Sequence, residues 1–274
     1  MITLFDSHAH FSNSSIIERQ EQINRAKAEG FAGIIAVGGS QDLDASAIAA
    51  TREYPGFVYL ALGLDRDFAP KSHDPNATLI SALKNLKKLI LETKDSGVPV
   101  VAIGEIGLDY SRALSQEKKD LQKALFAEQL ALAGELNLPV SIHSRDAADD
   151  TIAIIGQFGS IELRRQNRLG VLHCFTGNRD FADEAISLGL HISASGIITF
   201  QNAEPLRAVF KSIPEDRLLI ETDCPYLAPA PLRGCRNEPA YMVHTARRLA
   251  DIRSVTVEEI ADKTTQNALR LFKI

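Results

Sequence analysis

Short apolar runs alternate along the chain with longer segments in which apolar residues recur every three or four positions. The short runs have the length and continuity of fully buried strands in a parallel sheet, and the longer segments have the period of amphipathic helices. The predicted strands cover residues 2–5, 33–37, 57–64, 99–103, 139–142, 170–172, 190–193 and 218–221. Predicted helices include residues 42–53, 76–94, 116–137, 240–252, 256–263 and 264–272.

The first predicted helix follows the first strand. Ser14 or Ser15 is placed to cap its N-terminus, because a short hydroxyl side chain accepts a hydrogen bond from the free backbone N–H groups there. Gly30 is predicted to end this helix. Its apolar face is predicted to comprise Ile16, Ile17, Ile23 and Ala26.

The alternation predicts an α/β fold, a (β/α)8 TIM barrel that residues 1–274 form as a single domain. Eight strand candidates separated by helices over about 250 residues match the size of this barrel. A doubly wound open sheet is the main alternative. However, no glycine-rich nucleotide-binding turn follows any predicted strand, and no low-complexity segment marks a domain boundary.

The composition is ordinary for a globular protein, with 45% hydrophobic and 24% charged residues and a formal net charge of −5. That charge argues against a protein that coats duplex nucleic acid, which needs a broad basic surface. No apolar run reaches the ~18 residues of a membrane helix, and the N-terminus lacks the features of a signal peptide. Three scattered cysteines make neither a disulfide framework nor a C-x-x-C zinc motif. We therefore expect a soluble cytoplasmic protein with reduced thiols and no obligate protein partner.

Residues that bind metal ions occur where predicted strands end. His8 and His10 follow the first strand, and in extended backbone two residues so spaced project from the same face. Later strands are followed by Glu105, His143, His173 and Asp223. Because the C-terminal ends of the strands of a parallel barrel open onto one mouth, we expect all six residues to share a pocket.

Each candidate has a simpler interpretation when it is taken alone. A single histidine at a strand end is usually structural, and a single carboxylate there usually caps the next helix. Six such groups crowded at one barrel mouth would be costly to desolvate without an ion, so together they favour metal binding. His73, His191 and His244 fall outside the pattern and are interpreted as structural or exposed.

The candidate ligands are too many for one ion. Four imidazoles and two carboxylates exceed the three protein ligands of a catalytic tetrahedral site, so we predict two divalent ions. The first ion is assigned to His8, His10 and Asp223. The second is assigned to His143 and His173, with Glu105 bridging a metal pair about 3.5–4 Å apart. This imidazole-rich set suits Zn, Mn or Fe, and carboxylates with water also permit Mg.

A metal pair of this kind acidifies and orients a bound water and neutralises charge on an ester or phosphodiester. Asp223 is expected to accept the proton of that water while it binds metal, and Glu105 is expected to be catalytic as the bridging ligand. Other barrel hydrolases of this chemistry act on an amide, a lactone or an aminoacyl ester, so these substrates are the alternative. A catalytically silent binding barrel is a third hypothesis, against which the complete ligand set argues.

Substrate contacts are assigned to three arginines that follow predicted strand ends. Guanidinium groups match phosphate oxygens, which favours Arg145, Arg233 and Arg236 as phosphate ligands. The alternative is that these arginines pair with Asp146 or Glu238 as loop scaffolding.

Aromatic and cysteine side chains also stand beside the predicted ligands. Tyr110, Phe175 and Tyr226 either stack on bases or form the wall of the pocket. Cys174 and Cys224 are neighbours of predicted ligands, and neighbours in a strand point to opposite faces. We therefore expect both thiols to face the barrel shell and to be inert.

Six motifs resemble those of the TatD family of metal-dependent deoxyribonucleases, in order and across nearly the whole chain. They are HAH at residues 8–10, GEIGLDY at 104–110, IHSRD at 142–146, HCFTG at 173–177, TDCPY at 222–226 and RGCRNEP at 233–239. The resemblance implies a TIM-barrel metallohydrolase of the amidohydrolase superfamily, with the six ligands assigned above. It also implies magnesium-supported trimming of DNA or RNA, typically in the 3′ to 5′ direction. Our leading hypothesis is therefore a two-metal phosphodiesterase that acts on single-stranded ends.

Two places depart from the family pattern. The family usually has a Gly-x-His-Pro-His run after the third strand, whereas this chain has Asp65 and Asp67 in place of the histidines. The usual lysine of the Arg-Gly-Lys-Arg-Asn-Glu-Pro run is Cys235. We expect added carboxylates and lost basic groups at the mouth to weaken phosphate binding or to change which strand end is accepted.

Overall fold

The computed structural model describes residues 2–11, 15–68 and 75–274. Within them, eight parallel strands lie side by side in chain order and alternate with helices. The strands are β1 (Leu4–Ala9), β2 (Phe31–Gly39), β3 (Val58–Leu64), β4 (Val100–Asp109), β5 (Val140–Arg145), β6 (Gly170–Leu172), β7 (Leu190–Ala194) and β8 (Leu218–Ile220). The helices are α1 (Ile16–Ala28), α2 (Gln41–Glu53), α3 (Pro75–Asp95), α4 (Gln116–Leu136), α5 (Ala148–Phe158), α6 (Ile161–Arg165), α7 (Arg179–Ser187), α8 (Glu204–Ser212), α9 (Met242–Arg253) and α10 (Val257–Phe272).

Backbone hydrogen bonds join the end of β1 to the segment that follows β8. The Asp223 N–H donates to the His8 carbonyl at 2.9 Å, and the His10 N–H donates to the Cys224 carbonyl at 2.8 Å. The sheet therefore curves until its first and last strands meet, which confirms the predicted TIM barrel. The same hydrogen bonds bring two distant parts of the chain together at the mouth.

The strands are buried on both faces, which explains their continuous apolar sequence. Every residue of β1 is buried, and so are the first nine residues of β4. One face packs inside the barrel and the other packs under the helices, as in other parallel sheets. Fully buried branched side chains such as Ile34, Leu60 and Ile103 belong to this core.

Several strands, β4 and β5 among them, continue past the apolar runs that predict them. β4 continues to Asp109 and β5 continues to Arg145, because these residues extend the parallel pairing of the two strands, with Asp109 opposite Arg145. The pairing depends on backbone groups, so the hydrophobic pattern does not reveal it. As a result, polar side chains of the mouth stand on regular strand in this part of the barrel.

The predicted break at residue 264 is wrong, because residues 257–272 form the single helix α10. The Thr256 hydroxyl and the Glu259 carboxylate form a capping box at its start. Thr264 lies inside this helix and donates its hydroxyl to the Ile260 carbonyl at 2.8 Å.

Helix α1 begins as predicted, but its predicted apolar face is only partly correct. Ser15 caps the helix in a capping box with Glu18, and Ser14 lies outside the described residues. Ile23 and Ala26 are buried, whereas Ile16 and Ile17 in the first turn are exposed. The first turn precedes the part of the helix that packs on the barrel. No described helix is both long enough and apolar enough to span a membrane.

His191 is a structural histidine, as predicted. It lies on β7 with 4% of its surface exposed. Burial, together with repulsion from Arg217, lowers the pKa of His191 to about 4. His244 lies half-buried on α9, and His73 lies outside the described residues.

The low pKa of His191 makes stability depend on pH. The unfolded chain binds a proton at this residue near pH 6.5, but the folded chain binds it only near pH 4, so this contribution to stability is lost as the pH falls through that interval. We expect the loss to reach about 3 kcal/mol. The variant His191→Gln has no imidazole to protonate and so does not undergo this loss. Its free energy of unfolding in urea, relative to that of the wild type, should therefore increase as the pH falls from 6.5 to 4. A difference that does not change with pH would contradict this assignment.

Candidate metal centre

The six predicted ligands lie together at the C-terminal mouth of the barrel. His8, Glu105 and His143 stand within β1, β4 and β5. The other three lie just beyond the ends of β1, β6 and β8, and they are His10, His173 and Asp223. Barrel closure therefore assembles donor atoms from both ends of the chain in one place.

A first group of donor atoms surrounds Oε2, one of the two carboxylate oxygens of Glu105. The Nε2 atoms of His8 and His10 are 3.1 Å apart. Oε2 of Glu105 lies 3.8 Å from the first of these nitrogens and 3.4 Å from the second. Oδ1 of Asp223 lies 4.0 Å and 3.8 Å from the same two nitrogens. We call His8, His10, Asp223 and Oε2 of Glu105 the first donor group.

A second group of donor atoms surrounds Oε1, the other carboxylate oxygen of Glu105. Oε1 lies 3.2 Å from His143 Nδ1 and 3.3 Å from His173 Nε2. These two nitrogens are themselves 3.3 Å apart. We call His143, His173 and Oε1 of Glu105 the second donor group. Glu105 thus presents one carboxylate oxygen to each group.

The donor atoms fit divalent cations. Nitrogens that bind one tetrahedral ion at about 2.0–2.1 Å lie about 3.3 Å from each other, close to the separations found here. His8 Nδ1 is 3.0 Å from the Ser141 hydroxyl, and His10 Nδ1 donates to the Val37 carbonyl at 2.9 Å. These contacts orient both Nε2 atoms toward the shared position, as outer hydrogen bonds do in metal sites.

The electrostatics favour the metal-binding forms of Glu105 and His8. Burial opposes the ionisation of Glu105, but His173, His10 and His143 outweigh it and hold the pKa of this carboxyl well below its usual value. Burial lowers the pKa of His8 well below its usual value, and the neighbouring His173 and His10 add to the effect. An ionised carboxylate and a neutral imidazole are the metal-binding forms of these residues. Against the effect of burial, however, Glu105 raises the pKa of His10 and raises the pKa of His173 to about 10, so these two imidazoles must release a proton when an ion binds.

Carboxylates outside the two donor groups orient the histidines of the second one. Asp109 Oδ2 lies 3.2 Å from His143 Nε2, and Glu221 Oε1 lies 3.4 Å from His173 Nδ1. Sequence reasoning missed both roles. The available signal for Glu221 was a charged residue directly after the apolar run of β8, and for Asp109 it was a place in the GEIGLDY motif.

Asp6 is a further carboxylate that sequence reasoning missed. It is fully buried on β1, where burial raises its pKa to about 7. Its carboxylate accepts hydrogen bonds from the Thr222 N–H at 3.0 Å and the Thr222 hydroxyl at 2.5 Å. Asp6 therefore fixes the segment that carries Asp223.

Arg66 reaches the centre, although it was not predicted to do so. Its guanidinium contacts Oε1 of Glu105, and its Nε lies 3.7 Å from Asp109 Oδ2. Asp65, by contrast, turns into its own loop and accepts the Asp67 N–H at 2.9 Å, and Asp67 is exposed. In the segment from Asp65 to Asp67, which departs from the family pattern, Arg66 therefore points to the centre and the two aspartates point away from it.

A cavity of about 490 Å³ lies over the donor groups. Arg145 and Tyr226 line it, and both are exposed to solvent. The other two predicted arginines also lie in the described part of the chain, but neither of them lines the cavity. The guanidinium of Arg233 stacks on the Phe200 ring at 3.7 Å from its centroid, and Arg236 is exposed.

The scaffolding partners expected for the arginines are placed differently. Glu238 forms a two-pronged ion pair with Arg25 at 2.7 and 2.6 Å. Between the described side chains of Arg145 and Asp146 there is no ion pair within 4.0 Å.

The neighbouring aromatic residues differ in their roles. Phe175 is buried against Phe181 and Phe210, so it belongs to the wall. The Tyr110 hydroxyl donates to Asp150 at 2.8 Å. Tyr226 is 57% exposed, with its ring edge-on to His10 at 6.4 Å between centroids. Tyr226 is therefore the aromatic residue that is open to a ligand.

The orientation predicted for Cys174 is wrong. β6 ends at Leu172 and Cys174 has a left-handed backbone (φ 46°), so strand alternation does not apply and the residue lines the cavity. Cys224 is buried, with Sγ 3.7 Å from the His10 carbonyl. Burial raises the pKa of both thiols, which disfavours the reactive thiolate.

Comparison with known proteins identifies the family of the chain. The model of the TatD related DNase family matches residues 5–273. The uncharacterized metal-dependent hydrolase YabD of Bacillus subtilis (strain 168) is 41% identical over 272 residues, which cover 99% of each chain. The 3′-5′ ssDNA/RNA exonuclease TatD of Pectobacterium atrosepticum is 34% identical over 277 residues, covering 99% of this chain and 100% of that protein. The crystal structure of the TatD homologue YJJV from Escherichia coli K12 has a TM-score of 0.79 at 29% identity, with 99% of this chain and 98% of that chain covered.

The contact between Glu221 and His173 predicts an effect on metal affinity. In Glu221→Gln the side chain keeps its size but loses the charge that orients the imidazole, so we expect the affinity for Mn²⁺ to fall 10- to 100-fold. Calorimetric titration of metal-free protein measures this. Glu258→Gln on the exposed start of α10 is the matched control and should bind as the wild type does. Unchanged affinity in Glu221→Gln would show that the contact does not support metal binding.

Proposed function

Because the chain belongs to the TatD related DNase family, we propose that it is a metal-dependent phosphodiesterase that trims single-stranded DNA or RNA from the 3′ end. The family resemblance found in the sequence is thereby confirmed, and with it the assignment to metal-dependent hydrolases. The observation that carries the proposal is the convergence of two donor groups on the two oxygens of Glu105. A relative that bears the name of a 3′-5′ ssDNA/RNA exonuclease supports the choice of substrate and direction.

We assign a separate role in hydrolysis to each part of the centre. When bound, a pair of divalent ions supplies an acidified water and neutralises charge on the phosphodiester. The first donor group would hold one ion, the second would hold the other, and Glu105 would contribute one carboxylate oxygen to each. Asp223 accepts the proton of the attacking water. In the metal-free chain, burial raises the pKa of Asp223 to about 6, against the opposing effect of His173 and His10.

The cavity favours the end of a nucleic acid over a continuous duplex. Its volume of about 490 Å³ lies in the range of small-molecule sites. Arg145 is placed to contact a phosphate over the donor groups, and Tyr226 is placed to stack on a base at the rim. Arg233 and Arg236 would contact phosphates farther along the strand, outside the cavity.

Removal of either catalytic carboxylate should abolish turnover without unfolding the barrel. We expect Asp223→Asn and Glu105→Ala to lower the rate at least 10²- to 10⁴-fold, since the first removes the base and the second removes the bridge. The assay follows shortening of a 5′-labelled single-stranded oligonucleotide with Mg²⁺ or Mn²⁺.

Asp251→Asn, on α9 and exposed, is the matched control and should retain the wild-type rate. A wild-type rate in either carboxylate variant would contradict the mechanism. Hydrolysis of lactones, amides or aminoacyl esters by a wild-type protein that leaves oligonucleotides intact would contradict the substrate.

The absence of tryptophan from the chain allows a direct test of base stacking at Tyr226. In Tyr226→Trp the single indole should be quenched when a single-stranded oligonucleotide binds to metal-free protein, because a stacked base quenches the ring. Phe158→Trp, exposed on α5 away from the cavity residues, is the control and should not respond. Equal responses from the two positions would argue against stacking at the rim.

A further inference from the structure

Arg66 places a fixed positive charge on one of the two donor groups. Its guanidinium contacts Oε1 of Glu105, the oxygen that faces His143 and His173. Oε2 of Glu105 instead faces His8 and His10, at 3.8 and 3.4 Å from their Nε2 atoms. The cation is therefore directed at the second donor group.

The position of Arg66 is built into the fold. Gln129 on α4 accepts the Leu64 N–H at 2.7 Å and donates to the Leu64 carbonyl at 2.9 Å, which locks the end of β3. Gln122, also on α4, donates to the Arg66 carbonyl at 3.3 Å and accepts the Asp109 N–H at 3.1 Å. Both glutamines are buried. The backbone that carries Arg66 is thus held against β4, within reach of Glu105.

The two donor groups differ in charge for this reason. The first has two imidazoles, the Asp223 carboxylate and one oxygen of Glu105. The second has two imidazoles and an oxygen that is already paired with a guanidinium. A guanidinium does not lose its proton at accessible pH, and its charge repels a divalent cation at this distance. An ion can enter the second group only when Arg66 moves away from Oε1.

Asp109 offers a place to which Arg66 can move. Its Oδ2 already lies 3.7 Å from Arg66 Nε, and the side chain borders the same cavity. His143 Nε2 lies 3.2 Å from the same oxygen, so Asp109 stands between Arg66 and a residue of the second donor group.

We propose that Arg66 occupies the second donor group as a resident cation and must turn toward Asp109 before a divalent ion binds there. The two ions then bind in a fixed order, the first donor group before the second, and with unequal affinity. Turnover follows the occupancy of the second group, so Arg66 sets the cation concentration at which the enzyme becomes active. This inference rests on the two-ion assignment of the proposed function.

Calorimetric titration of the metal-free full-length chain with Mn²⁺ tests the proposal. We expect Arg66→Gln to tighten the weaker binding event at least tenfold and to leave the stronger one within twofold of the wild type. Arg66→Lys keeps the charge and should remain closer to the wild type than the glutamine variant does. Thermal unfolding of each variant reports whether the fold is retained.

Arg145→Gln is the matched control. It removes the same charge from the same cavity, but Arg145 has no ion pair with Glu105 among the described residues. Its binding curve should match that of the wild type. An equal tightening in Arg145→Gln, or no tightening in Arg66→Gln, would overturn the proposal.

The outcomes separate this proposal from the nuclease activity. A protein whose weaker event responds to Arg66→Gln but which leaves oligonucleotides intact supports the role of Arg66 and removes the nuclease. A protein that cleaves oligonucleotides but whose metal binding ignores Arg66→Gln overturns the role of Arg66 alone. If the wild type takes up one ion, a second ion gained by Arg66→Gln supports the proposal, and none gained overturns it.

Discussion

The mouth of this barrel is organised around one ionised carboxylate that is removed from water. Glu105 is 6% exposed, and a buried charge of this kind is strongly destabilising unless partners compensate for it. Three histidines and Arg66 provide that compensation in the structure. The compensating groups come from strands across the barrel, so the site exists only when the sheet has closed. Folding and the capacity to bind metal are therefore linked through the same residue.

Polar groups around the centre are supported by a second layer of carboxylates, of which Asp6 and Glu221 are buried and Asp109 is partly exposed. Asp6 holds the segment before Asp223, Glu221 stands behind His173, and Asp109 stands behind His143. Such groups lower stability where they replace apolar packing, and the continuous apolar core beneath them offsets the loss. Because the carboxylates lie at the mouth and the apolar core lies beneath them, the strands are apolar along most of their length and polar only toward one end.

The alternation of apolar runs and helical periods was sufficient to predict the barrel, because both follow from burial. Barrel topology then predicted which of the distant histidines and carboxylates would meet. Arg66 and Glu221 were missed because their roles depend on side-chain direction after a strand ends, which hydrophobicity does not encode. Cys174 was misplaced for the same reason, since a left-handed residue breaks the alternation on which the prediction relied.

Anomalous X-ray scattering from crystals soaked in Mn²⁺ tests the central claim most directly, because it locates each ion without assuming its ligands. We predict two peaks about 3.5–4 Å apart on opposite sides of the Glu105 carboxylate. One peak would lie against His8 and His10, and the other against His143 and His173. Peaks away from Glu105, or a single peak at saturating Mn²⁺, would contradict a two-ion centre bridged by this residue.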